Sequence, residues 1–142
     1  MRNLSVQGNV TGPANGGYYG VLAGLAFGTI ASVHTSGAVV SPSGNSEVGG
    51  LVGFSGGTVT RSSSDAAIMS GATATGGLVG YNVGVVRESY SSGNVDASFA
   101  IGVGGLVGVN QNTITQSYAT GRVSSPAECL CAGALVLSLI HI

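Results

Sequence analysis

Lysine and tryptophan do not occur in these 142 residues, and charge of either sign is scarce: four arginines and five carboxylates give a formal net charge of -1. Arg2, Arg61, Arg87 and Arg122 are spread along the chain. Binding a phosphate backbone needs clustered basic side chains, so nucleic acid is not expected as a partner. Without lysine there is no Walker loop, and no GxGxxG leads into a helix with an acidic partner. No apolar run approaches the about twenty residues of a bilayer span; the nearest, 132–142, has eleven. The opening MRNLSVQGNVTG lacks the charged, apolar, small-residue order of an export signal, so an exported protein would carry its signal outside this segment. The two cysteines, Cys129 and Cys131, stand as CxC with no second ligand pair, which supplies neither a disulfide framework nor a metal set.

Glycine is abundant, at 26 residues, alongside a 44% hydrophobic share. That share is too high for a disordered chain, and the glycines do not follow the third-position rule of collagen. Instead they recur in a pentapeptide. GGLVG occupies residues 49–53, 76–80 and 104–108. Aligned on leucine, the units place Leu22, Leu51, Leu78 and Leu106 at spacings of 29, 27 and 28 residues. Six residues on comes Gly28, Gly57, Gly84 or Asn112, types that tolerate a left-handed backbone, so this column is expected to turn the chain. Two further on stands Ile30, Val59, Val86 or Ile114, β-branched and expected inside.

The second half of each unit reads VHTSGAV, SSSDAAI, SYSSGNV or SYATGRV. Alternate residues are small or apolar, which is the period-two signature of a strand buried on one side. LSVQGNV at 4–10 matches the closing strand alone. A unit of this size cannot bury its apolar positions by itself, whereas stacked units align leucine on leucine. The expected fold is therefore all-β: a right-handed parallel β-helix, or β-solenoid, of about 28 residues per coil and four to five coils. The array is expected over 1–123, with a partial coil at 1–10 and coils at about 20–39, 49–68, 76–95 and 104–123. Residues 124–142 read as a non-repeat tail, foreign to the array and of the kind an artefact of truncation or frame leaves.

GGLVGFSGGTVTRSSSDAAI, GGLVGYNVGVVRESYSSGNV and GGLVGVNQNTITQSYATGRV resemble the GLUG repeat of bacterial surface proteins, and the likeness covers roughly residues 20–123. Such repeats occur in filamentous-haemagglutinin-like adhesins and in the non-catalytic part of immunoglobulin A-specific metalloendopeptidases. The resemblance implies a secreted or cell-surface stalk or adhesive region, and it carries no catalytic residues.

The residues themselves offer little chemistry. The carboxylates Glu47, Asp65, Glu88, Asp96 and Glu128 fall in different columns, so no general acid and base converge as polysaccharide hydrolysis requires. Glu88 aligns with Arg61 one coil below, which predicts a cross-rung ion pair. His34 has no aligned acid or cysteine, and His141 lies in the tail, so neither a nucleophilic triad nor a zinc set is expected. No cofactor, metal or enzymatic activity is read from the chain.

The outward columns carry His34, Ser63, Tyr90 and Tyr118, then Asp65, then Asn94 and Arg122. Tyr90 over Tyr118, flanked by Asn94 and Arg122, is either a sugar-stacking surface or a stabilising inter-rung stack. Host or cell-surface glycans or proteins are the partners this face implies, and open solenoid ends offer a route to self-association. TVT at 58–60 and TIT at 113–115 resemble the threonine arrays of ice-binding solenoids, interrupted by Arg87.

Overall fold

In the computed structural model the chain is a β-solenoid. The structure describes residues 1–99, 101–126 and 132–139; among them there are strands, turns and bends but no helix. Every strand pairing is parallel, and partners lie 27 to 29 residues apart. One ladder stacks Ala23–Ala26, Val52–Ser55, Val79–Asn82, Val107–Asn110 and Val136–Leu139 in that order. The remaining strands form a 14-stranded sheet that wraps the rest of each coil.

The chain lays down its coils by hydrogen-bonding to the copy above. Leu22, Leu51 and Leu78 donate their N–H groups to the carbonyls of Leu51, Leu78 and Leu106, at 3.1, 2.9 and 2.8 Å. Their side chains follow the same line: Leu51, Leu78 and Leu106 are wholly buried and Leu22 is half-buried. Ile30, Val59, Val86 and Ile114 make the adjoining buried column of the same apolar cluster. Full burial of such a side chain contributes about 1.5–3 kcal/mol, so a column repeated in every coil supplies the stabilisation that one coil lacks. A second interior cluster, built from Val39, Val48, Ala66, Ile68, Ala72, Val95, Ala97 and Val103, fills the other end of the cross-section.

Each glycine of GGLVG has its own steric reason. A methyl group on Gly49, Gly76 or Gly104 would run into the carbonyl of Val52, Val79 or Val107 in the same corner. On Gly50 or Gly77 it would collide with the side chain of Ser64 or Ser91 across the narrow interior. On Gly80 it would lie 2.6 Å from both Gly53 O and Val48 N, and on Gly108 it would lie 2.6 Å from Thr75 N. The third glycine thus lets two backbones approach face to face with no side chain between them.

The column of Gly28, Gly57, Gly84 and Asn112 does not turn the chain through a left-handed backbone, contrary to the sequence expectation. None of the four has positive φ. Gly57 and Gly84 are there because the carbonyl of the coil below occupies the space of a Cβ. The left-handed corner falls four residues later, at Asn3, Ser32, Arg61, Glu88 and Gln116, with φ between 47° and 56°. Such a backbone costs a residue with a Cβ about 1–2 kcal/mol.

A serine ladder next to that corner offsets the strain. Ser62, Ser89 and Ser117 donate their hydroxyls to the carbonyls of Thr60, Arg87 and Thr115 two residues back, at 2.9, 2.7 and 2.8 Å. Each accepts from the N–H of the equivalent residue one coil earlier: Val33, Ser62 and Ser89, at 3.2, 3.1 and 3.1 Å. These serines are hydrogen-bonded joints as well as small inward residues. Ser89→Ala removes the partner of two buried backbone groups and is expected to lower stability by about 1–3 kcal/mol. The exposed Ser92→Ala should stay within about 0.5 kcal/mol. Urea unfolding of both variants tests this, and equal midpoints would remove the joint from the account.

The array also runs past the boundary read from the sequence. Ala132–Gly133 pairs with Val103 and Gly104, Val136–Leu139 pairs with Val107–Asn110, and Leu106 donates to Leu135 O at 2.9 Å. Residues 132–139 are therefore a further rung and not a foreign tail. Glu128, Cys129, Cys131 and His141 lie outside the described residues.

Candidate functional site

Just past the serine corner each coil contributes one short strand, and its outward positions form the most polar face of the rod. The first outward column holds His34, Ser63, Tyr90 and Tyr118 in parallel register. Two residues on, the column holds Ser36, Asp65, Ser92 and Thr120; two further on it holds Ala38, Ala67, Asn94 and Arg122. All six residues singled out from the sequence, His34, Asp65, Tyr90, Asn94, Tyr118 and Arg122, lie on this one face.

At its lower end the structure assembles a cluster that column alignment alone does not reveal. His34 Nδ1 and Ser63 Oγ share a hydrogen bond of 2.9 Å, and His34 Nε2 lies 3.6 Å from Asp65 Oδ2. The expectation that His34 lacks an acid is thus corrected: Asp65 belongs to the neighbouring column, but the imidazole spans the gap between two outward residues of the coil above. Ser63, in register with His34, is the member the sequence pattern did not single out. These are the residue types of a nucleophilic triad, yet the N–H groups of Asp65, Tyr90 and Ser92 are spent on the carbonyls of Thr35, Ser62 and Ser64. None of these donors is left to stabilise an oxyanion.

Higher on the face, Tyr90 and Tyr118 stack with ring centroids 5.1 Å apart and planes 4° from parallel. The rings cover each other's faces, leaving edges and hydroxyls outward. Asn94 Oδ1 accepts from the N–H of Arg122 at 3.0 Å, so this amide oxygen serves the ladder, and Asn9 does the same for Ala38. Asn94, Val95, Asp96, Arg122 and Ser124 line a shallow groove of about 190 Å³.

Arg61 and Glu88, although aligned, form no ion pair. Both stand at left-handed corners, at φ 47° and 50°, and both are exposed. Among the described residues the one ion pair is His34 with Asp65. The threonine columns do not make a flat hydroxyl array, because Thr60 is buried while Thr115 is exposed. Among the described residues no three His, Cys, Asp or Glu side chains converge as metal ligands, and no helix is long and apolar enough to cross a membrane. Glu47, half-buried away from this face, has its carboxyl raised above the ordinary value of 4.5 by burial.

Parallel ladders of uniform period, with a buried leucine line and a polar outward face, define a β-solenoid repeat protein. The repeat is the GLUG motif, which matches residues 71–96 and 99–124. No curated protein and no solved structure matches the chain.

Proposed function

We infer that this array is a rigid segment of an exported bacterial surface protein, serving as a shaft and as a contact surface rather than as an enzyme. The observation that carries the reading is the unbroken ladder. Each coil is tied to the next through backbone bonds, serine joints and stacked apolar columns, with a rise of about 4.8 Å, so five rungs make a stiff body of about 20 Å. The GLUG motif fits a repeat segment of a surface protein. The carboxylates Asp65, Glu88 and Asp96 occupy separate columns, which suits contact better than acid–base chemistry.

On this reading the contact face runs from His34 and Asp65 to Tyr118 and Arg122. It offers imidazole, carboxylate, phenol and guanidinium groups in a row about three coils long, a donor and acceptor set suited to the hydroxyls of a glycan. Binding of the purified array to immobilised glycans and to host cells tests this. Asp65→Asn with Arg122→Ala, both at exposed positions, should reduce binding at least about tenfold with the unfolding midpoint unchanged. Retention of full binding by that variant would move the contact off this face, and absence of any binding would leave only the shaft.

A further inference from the structure

The rod has a second face of opposite character. Outward from the Val52–Ser55 ladder, Leu25, Phe54, Tyr81 and Val109 form one column. Beside it run Phe27, Gly56, Val83 and Gln111. Phe54 and Tyr81 stack at 5.6 Å with planes 6° apart, Tyr18 meets Phe54 edge-on at 5.6 Å, and Phe27 leans on Phe54 at 6.0 Å. The stripe is uncharged along its length, and Phe27, Leu25 and Tyr18 are 69%, 46% and 45% exposed. Contiguous apolar surface of this kind on a water-facing rod marks an interaction site.

We propose that this stripe pairs two copies of the chain side by side and antiparallel. Three features select that occupant. The stacked rings present edges, which gives a sugar ring no flat platform. The four arginines lie in other columns, so no cation on the stripe meets a lipid headgroup. The relief of the stripe is graded: the protruding Phe27, Leu25 and Tyr18 belong to the lowest coil that forms it, whereas the smaller, half-buried Val83 and Val109 belong to coils two and three steps higher. A two-fold axis across the rod between Phe54 and Tyr81 sets the protruding end of each copy on the recessed end of the other, twice over. Phe54 and Tyr81 then meet the second copy's Tyr81 and Phe54. Both copies have the same rung spacing, so the match holds along the whole stripe, as an isologous contact requires. Four rungs give a contact at the small end of the protein–protein range, below about 1,200 Å² in total, so the pair is weak and concentration-dependent.

Sedimentation velocity over the micromolar range tests this on a chain carrying Cys129→Ser and Cys131→Ser. The parent should move from monomer to dimer, and Phe27→Arg, at an exposed position, should weaken association at least about tenfold with an unchanged circular dichroism spectrum. Direction is read by oxidative cross-linking. Copies with Leu25→Cys should couple to copies with Val109→Cys and not to themselves. A parent that stays monomeric, a dimer indifferent to Phe27→Arg, or self-coupling of Leu25→Cys would each overturn the proposal.

Discussion

Leu78→Ala is expected to cost about 3–5 kcal/mol, a large share of the stability of a domain this size. Leu78 is wholly buried, with Leu51 below it and Leu106 above. The void has nowhere to collapse, because the ladder fixes the backbones on both sides. The penalty therefore combines the lost transfer energy with the unfilled cavity. Leu22 occupies the same column but is half-buried, and Leu22→Ala should cost distinctly less. Urea unfolding of the two variants compares them directly. Equal losses would mean that the leucine column does not hold the coils together.

Gly84→Ala should be the most damaging single methyl addition, lowering stability by about 1–3 kcal/mol or more. The new Cβ would overlap the Gly57 carbonyl, with Gly57 C and N at 2.8 and 2.9 Å, and these are backbone atoms held by the ladder. The same column contains its own control. A Cβ on Gly28 meets nothing within 4 Å. Gly28→Ala should be neutral or raise stability by about 0.4–1 kcal/mol, through the smaller entropy of the unfolded chain. Thermal and urea unfolding of this pair separate steric exclusion from intrinsic glycine preference, since both residues have ordinary negative-φ geometry. Similar effects at the two positions would contradict the close approach of neighbouring coils.

The solenoid and its period were legible because the residues that set them repeat by type. A leucine or a β-branched residue returns wherever the interior must be filled, so the spacing of letters is also the spacing of coils. The corner was not legible. Ser32, Arg61, Glu88 and Gln116 share a backbone conformation and no chemistry, and nearby glycines draw attention to the wrong column. The serine after the corner was the available sign, since Ser62, Ser89 and Ser117 recur there. The rung at 132–139 was hidden by one substitution: Ala134 stands where the repeat has the second glycine, so GALV does not announce itself as GGLV.

Of the candidate face, the column holding Tyr90 and Tyr118 follows from alignment, and so does the position of His34. The contact of His34 with Asp65 does not, because it depends on a side chain crossing between columns. The failure of Arg61 and Glu88 to pair is the converse case: shared alignment brings two residues near each other and leaves their side chains free to point apart. The aromatic stripe was visible in the fourth position of GLVGF, GLVGY and GLVGV, where a large apolar residue follows the glycine on the outward side.

The serine joints reach only to the adjacent coil, and they tolerate spans of 27, 28 or 29 residues between partners. No bond in the array needs to know how many coils lie beyond its neighbour. Duplication or loss of a whole unit in the gene would therefore lengthen or shorten the shaft without disturbing any other joint, so that recombination between near-identical repeats can tune how far such a protein reaches.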